Sequence, residues 1–436
     1  VTAPVTARAG PAQLAADALS AAVAIGHRLV AEAIWSGDRC NWVGAEPVDL
    51  RGGGVGSGLT HRALGCGLYG GSGGVALFLA ELSGATGLAE FRPTALAAMR
   101  HALSRRDDVN PAARLGFYTG WAGLAATATR TGLLLDSAEF IDAGTALFRD
   151  VSGIVEVAGQ EDAAAAGQRE YDLMSGCAGA VVALAVASRR TGDDAIRTAA
   201  AAAAEWLLGS ARKTRTGWSW RSPGLRNQHD LTGLSHGVAG VAVALLEAFR
   251  VTGEDRFASG ARNAMRYENR WLDAGEGNWP DFRENLVDRR ARTFVALWCH
   301  GAPGIALSRL YAYERLGEAR WRQDALTALG TTDRLTRRLA DRGGSDFSLC
   351  HGLSGNAECF LEAGRVLGGD AGAGIPWLVA EHGLQRYARP GLAWPCGTHA
   401  DETPNLMLGL AGIGWFYLRL AAPDVPSVLL PVRWDR

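Results

Sequence analysis

At 436 residues, 48% of them apolar, the chain is long enough to bury a large core, and length alone would allow two or three domains. Its 44 basic residues almost cancel its 45 acidic ones, and with a net charge of -1 and no block of like charge it carries no footprint for a nucleic-acid partner. Seven scattered cysteines, an odd number, do not suit a secreted disulfide framework and point instead to reduced thiols in a cytoplasmic protein, some of them free to bind metal.

The N-terminus shows none of the charged, apolar and cleavage zones of a signal peptide, and no apolar stretch reads as long and uninterrupted enough to span a bilayer. Val1 is not an initiator methionine, so the sequence reads as a trimmed chain or a piece of a longer one. Residues 14–34 carry an amphipathic helical pattern, and an irregular Trp/Gly stretch follows. Then a Gly-x-x-Gly pair occurs seven times, at Gly71/Gly74, Gly120/Gly123, Gly176/Gly179, Gly237/Gly240, Gly301/Gly304, Gly352/Gly355 and Gly409/Gly412. The steps between first glycines are 49, 56, 61, 64, 51 and 57 residues, the spacing of a repeat architecture. Each pair opens an apolar helical run, such as 75–82 or 241–249. In five repeats another glycine stands 13 residues beyond the pair, at Gly87, Gly192, Gly253, Gly317 and Gly368; in the second repeat one comes earlier, at Gly132. Glycine adopts the left-handed C-cap conformation without a Cβ penalty, so each unit reads as a short helix with a marked stop. A second, more charged helical pattern follows, clearest at 194–208 and 319–339.

Seven units of two helices predict an all-α fold, a closed α/α toroid with seven inner and seven outer helices. Residues 61–436 are assigned to the toroid and residues 1–60 to an N-terminal helix and extension. Residues 154–168 and 269–290 read as inserted loops, and only 217–221 and 393–396 alternate like strands. The paired glycines read as structural, because glycine lets crowded backbones approach and permits positive φ. Phosphate cradling at helix N-termini is the alternative, but one ligand does not need seven cradles.

Three repeats carry soft metal ligands at matching places. Repeat five reads WCHGAPG at 298–304, repeat six LCHGLSG at 349–355, and repeat four LSHGVAG at 234–240. In a ring these loops share one rim, so Cys299, Cys350, His351 and His236 are expected to converge. Two thiolates and one imidazole give three protein ligands, which suits Zn2+ with a fourth position open for chemistry. Cys66, Cys177 and Cys359 read as small buried hydrophobes, while Cys396 is left open. His300 shares the Cys-His-Gly motif but is ambiguous as a pocket-lining residue. A thiolate-rich zinc is a weak Lewis acid, and a further thiol bound there stays a reactive thiolate. The chemistry implied is thiol attack on carbon, which then needs an acid. His236 is the candidate acid. Asp172, on the third repeat's loop, is read as orienting a histidine or sharing the proton traffic, or else as a helix N-cap or loop carboxylate. Trp279 and Arg283 are read as lining the substrate entrance or as plain loop anchors.

These motifs, WCHGAPG at 298–304, CHG at 350–352, SHG at 235–237, YDLMSG at 171–176 and GLAGIGWF at 409–416, resemble those of the LanC-type lanthionine cyclases, in order, over residues 60–420. The resemblance implies one zinc held by Cys299, Cys350 and His351, with His236 and Asp172 as the acid–base pair. It implies intramolecular Michael-type addition, in which a zinc-bound Cys thiolate of a precursor peptide attacks a dehydroalanine or dehydrobutyrine made from Ser or Thr. The enolate is then protonated and a thioether ring forms. Some family members have Tyr where this chain has His300. No dehydratase or kinase signature is visible, so the chain is expected either to act after a separate dehydratase or to be the cyclase domain of a larger synthetase. Two rival readings are glutathione addition to dehydroamino acids and a non-catalytic, zinc-stabilised peptide-binding scaffold. A third, a zinc-dependent prenyltransferase subunit, would need motifs and an aromatic pocket that this sequence lacks.

Overall fold

Every Gly-x-x-Gly pair starts a helix, with its first glycine at the N-cap. The computed structural model describes residues 11–47, 59–158, 169–223, 229–283, 292–369, 372, 374–389, 391–398 and 401–435. Among the described residues the helices so started are α2 (Ser72–Thr86), α4 (Trp121–Leu134), α6 (Cys177–Thr191), α8 (Val238–Thr252), α10 (Ala302–Leu316), α12 (Leu353–Leu367) and α14 (Leu410–Ala421). Between them in sequence lie α3 (Arg92–Ser104), α5 (Ala138–Ala158), α7 (Asp194–Ser210), α9 (Asp255–Asn269), α11 (Ala319–Arg342) and α13 (Gly374–Arg386), with α1 (Pro11–Ala31) ahead of them all. The even-numbered helices pack on their neighbours in order, and α14 packs back on α2, closing an inner ring. Each of them also packs on the outer helix that follows it, or on α1 in the case of α14, which completes an α/α toroid.

The two rings have different surfaces because they have different neighbours. An inner helix meets a helix on either side and another behind it, so it is buried all round: residues 72–82 of α2 and 238–248 of α8 are buried without a break. An outer helix has one free face and is amphipathic, as in α7, where Ile196, Ala199, Ala200, Ala203, Ala204, Leu207 and Leu208 form the buried stripe. Its N-cap Asp193 accepts from the N–H groups of Ala195 and Ile196.

The glycines of the pairs answer to close approach. A Cβ on Gly123 would stand 1.4 Å from the Phe117 carbonyl oxygen, and one on Gly355 would stand 1.8 Å from that of Leu349. The second glycine thus lets the first helical turn fold against its own loop. Six of the seven N-cap glycines have extended backbone; only Gly301, at φ 89°, needs the region that favours glycine. Of the five glycines the spacing marks, Gly87, Gly192, Gly253 and Gly317 are left-handed C-caps, whereas Gly368 caps its helix at φ 70° with an extended ψ of 177°. Gly132 is different: it lies inside α4, whose C-cap is Leu135.

Several expectations shift. The helix assigned to an extension before residue 61 is the outer partner of α14, so α1 completes the outer ring. Over Ala12–Ala31 it is also long and apolar enough, at a mean hydropathy of 1.4, to pass as a membrane span by length and composition. The Trp/Gly stretch after it folds as two hairpins, β1 (Ile34–Ser36) with β2 (Arg39–Asn41) and β3 (Val43–Pro47) with β4 (Leu59–Ala63). Residues 217–219 do form a strand, β6, paired with β5 (Arg212–Thr214), whereas 393–396 are irregular. Of the two expected insertions, 154–158 belongs to α5, and 159–168 and 284–291 lie outside the described residues. β7 (Pro280–Asp281) pairs with β8 (Thr293–Phe294).

The toroid has a plug that the repeat pattern does not announce. The C-terminal segment buries Val428, Leu429, Leu430 and Val432. Its carbonyls accept from residues spread around the inner ring: Val428 from Tyr118 Oη at 2.7 Å, Leu429 from Trp298 Nε1 at 3.0 Å, and Val432 from Arg189 Nη2 at 2.9 Å. Buried carbonyls outside regular structure require such partners, and here inner-ring side chains supply them.

Candidate metal centre

The loops that precede the inner helices are joined edge to edge by backbone hydrogen bonds. The residue two before each first glycine takes part: Tyr69, Tyr118, Met174, Ser235, Cys299, Cys350 and Met407. Tyr69 N donates to Tyr118 O, Tyr118 N to Met174 O, Met174 N to Ser235 O and Ser235 N to Cys299 O, at 2.9, 3.1, 3.1 and 3.3 Å. Trp298 N then donates to Cys350 O, Cys350 N to Met407 O and Met407 N to Tyr69 O, at 3.1, 2.9 and 3.0 Å. This closed circuit fixes the rim. It sets the two cysteines side by side although 51 residues separate their repeats.

The ligand atoms of Cys299, Cys350 and His351 lie within 4.8 Å of one another, the sole such His/Cys/Asp/Glu group of three among the described residues. The sulfurs are almost wholly buried. The Cys350 hydrogen bond holds the Cys299 thiol well below its ordinary range, against the pull of burial, and His351 adds to the effect. Burial and the Cys299 charge push Cys350 the other way. His351 Nδ1 is buried with no hydrogen-bond partner, and its backbone N–H is held by Ser348 Oγ, itself tied to Asp346. Two soft sulfurs beside an orphaned imidazole nitrogen fit a zinc ion.

His236 stands outside this cluster and pairs with Asp172. Its Nδ1 is 2.6 Å from Asp172 Oδ2, so Nδ1 donates and Nε2 remains uncommitted. The other carboxylate oxygen accepts from Ser175 N at 2.7 Å. One Asp172 oxygen thus caps its loop while the other faces the histidine. In repeat seven Asn405 makes the same cap on Leu408 N with no histidine to hold. Burial works to lower the His236 pKa, but the charge and hydrogen bond of Asp172 outweigh it and raise the value above the ordinary one. The His236 side chain is 34% exposed and Asp172 only 4%.

The remaining candidates separate. His300 is fully buried, with Nδ1 3.2 Å from the Thr232 carbonyl, its ring stacked on His236 and its Nε2 unpartnered. Burial pulls its pKa down to about 4, so it is a neutral support behind the rim. Trp279 is fully buried in the core, which makes it a loop anchor and not an entrance residue. Arg283 is one-third exposed and forks onto buried Asp281, which stands 3.8 Å from His300. Cys66, Cys177 and Cys359 are buried free thiols, as expected; so is Cys396. Sequence reasoning missed Asp281 and Tyr69. Tyr69 neighbours Cys350, and burial together with the charge of that sulfur pushes its phenol well above the ordinary range. The signal for it was present: Tyr69 occupies the same rim position as both cysteines.

Comparison with known proteins gives the family and the fold. The profile of the lanthionine synthetase C-like protein family matches residues 62–430. A solved nisin cyclase structure superposes with a TM-score of 0.66 at 20% identity, over 85% of this chain and 93% of that one. A curated Danio rerio protein named glutathione S-transferase LANCL1 is 27% identical over 197 residues, which span 45% of this chain and 44% of that relative.

Proposed function

The chain belongs to the lanthionine synthetase C-like family, and from that premise we propose that it is a zinc-dependent cyclase. Its substrate in this reading is a ribosomally made precursor peptide carrying cysteines and dehydrated Ser or Thr residues, supplied by a separate dehydratase. The observation that carries the reading is the donor set Cys299, Cys350 and His351 beside the His236–Asp172 pair. The family alone would not distinguish a catalyst from a scaffold, but a pure binder has no use for an oriented histidine with a free ring nitrogen.

Zinc bound to these three residues would supply a place where a peptide thiol is held as thiolate at neutral pH. This chain's own groups handle the rest. Thiolate addition to the β-carbon of a dehydroalanine moves the π electrons toward the amide carbonyl and leaves an enolate that needs a proton at Cα. Protonated His236 gives that proton from Nε2 and recovers one from solvent. Asp172 keeps Nδ1 protonated and the ring fixed, and it stabilises the imidazolium without taking the proton. The buried His300 ring stacks on His236 and holds it from behind.

The test is incubation of the zinc-loaded protein with a dehydrated, cysteine-containing peptide, followed by thiol alkylation and mass spectrometry. Ring closure leaves the peptide mass unchanged and removes an alkylatable thiol. The curated relative's name supports a second reading, addition of glutathione to the dehydroamino acid. That outcome would instead add one glutathione mass and leave the peptide cysteine free.

A further inference from the structure

Addition of a thiolate to a dehydroamino acid puts negative charge on the amide oxygen, and nothing described so far receives it. His236 is assigned to Cα. His300 cannot serve, because its Nδ1 hydrogen faces the Thr232 carbonyl and leaves only a lone pair on Nε2. We propose that Arg283 is the oxyanion-binding residue, its Nη1, which has no hydrogen-bond partner among the described residues, donating to the carbonyl oxygen of the dehydroamino acid as the enolate forms. The assignment rests on the thiol-addition chemistry of the proposed function, in either its peptide or its glutathione form.

Three observations carry it. First, Asp281 holds Arg283 with a two-pronged contact: Nε lies 3.1 Å from Oδ1 and Nη2 lies 2.7 Å from Oδ2. Nη1 takes no part in that fork, and the side chain keeps 32% of its surface open while Asp281 keeps 1%. A guanidinium clamped on one edge and open on the other is pre-organised for an anion. Second, the clamp belongs to the site. Asp281 also stands 3.8 Å from His300, which stacks on His236, and the Pro280 carbonyl beside it accepts from Thr232 Oγ1 at 2.6 Å. Third, Arg283 feels the metal cluster: the Cys299 and Cys350 charges favour its protonated form, though burial opposes it. In the step, the S–Cβ bond forms and the C=C π pair moves out to give a C–O⁻ held by Arg283. The C=O then re-forms as His236 protonates Cα. The thiol's proton leaves to solvent before attack and His236 regains one afterwards, so the sum is addition of S–H across the double bond. Arg283 exchanges no proton.

The test uses the full-length zinc-loaded protein, Arg283→Gln and Arg283→Ala, with the dehydrated peptide and separately with glutathione plus a dehydroalanine peptide. Loss of one oxyanion donor lowers kcat on the order of 100- to 1,000-fold. The expected result is that loss in kcat with KM and zinc content unchanged, and partial recovery of Arg283→Ala by added ethylguanidine. A merely structural arginine would not give that rescue. Wild-type kcat in both variants, or a change confined to KM, overturns the proposal. If neither variant folds, Arg283→Lys keeps the cation without the fork; undiminished kcat in it would equally overturn the role of the clamped Nη1. If wild type adds glutathione but closes no ring, the cyclase reading fails while the Arg283 comparison is still read on glutathione addition. If wild type adds neither thiol, both fall.

Discussion

Repeats five and six carry the same Cys-His-Gly tripeptide, at 299–301 and 350–352, and they use it differently. In repeat six Cys350 both donates and accepts in the rim circuit, Gly352 has extended backbone, and His351 joins the metal-binding cluster. In repeat five the circuit slips by one residue: Cys299 accepts but Trp298 donates, Leu297 N turns back to the His300 carbonyl, and Gly301 takes φ 89°. The Cys299 sulfur still reaches the cluster, but His300 is rotated into the core. A repeated motif specifies a cysteine position robustly, because the rim bonds fix it. It specifies the following histidine only if the turn after it is the same.

This contrast can be broken by substitution. The largest effect is expected at the shared ligands: Cys350→Ala should abolish detectable ring closure in the thiol-alkylation assay while the helical circular-dichroism signal persists. Next is His236→Ala, which should retain zinc and fold but lose at least ~100-fold in turnover, the usual scale of general-acid help. Asp172→Asn should act through pH. Asp172 raises the His236 pKa, so wild type keeps its acid form to higher pH than an ordinary histidine at about 6.5. With a neutral partner the raising effect of the Asp172 charge is lost while burial still lowers the value, and the alkaline limb of the kcat profile should move to lower pH. The same sign governs stability: the pair's proton-linked stabilisation is present below the unfolded value and lost as pH rises through the raised folded one. Smaller still, Gly301→Ala should destabilise by roughly 1–3 kcal/mol in denaturant unfolding. Its backbone is left-handed, and a Cβ there would meet the Val295 carbonyl oxygen at 1.9 Å. An unchanged midpoint would mean that the repeat-five turn is not held by that glycine.

The toroid was legible because its cause is local. Glycine pairs mark every turn of the ring, and glycines 13 residues on mark the helix stop in five of the seven repeats. The convergence of Cys299, Cys350 and His351 was legible once the loops were known to share a rim. What stayed hidden depends on contacts between distant segments. The seating of α1 on α14 joins the two ends of the chain, and an amphipathic helix does not announce which groove it fills. The plug formed by 428–432 is an apolar stretch without repeat character, and its meaning comes from Tyr118, Trp298 and Arg189 reaching it from three repeats. Gly132 shows the limit of the glycine rule, since in α4 it serves close packing on Ile141 instead of ending the helix. The burial of His300 follows from a one-residue slip in hydrogen bonding that its motif gives no sign of.

The measurement that bears most directly on the site is metal content by elemental analysis of wild type, His351→Ala and His300→Ala, purified reduced and without chelator. One zinc per chain in wild type and in His300→Ala, with loss in His351→Ala, is the predicted result. Zinc lost with His300 and kept without His351, or no zinc in wild type, would contradict the assignment of the donor set.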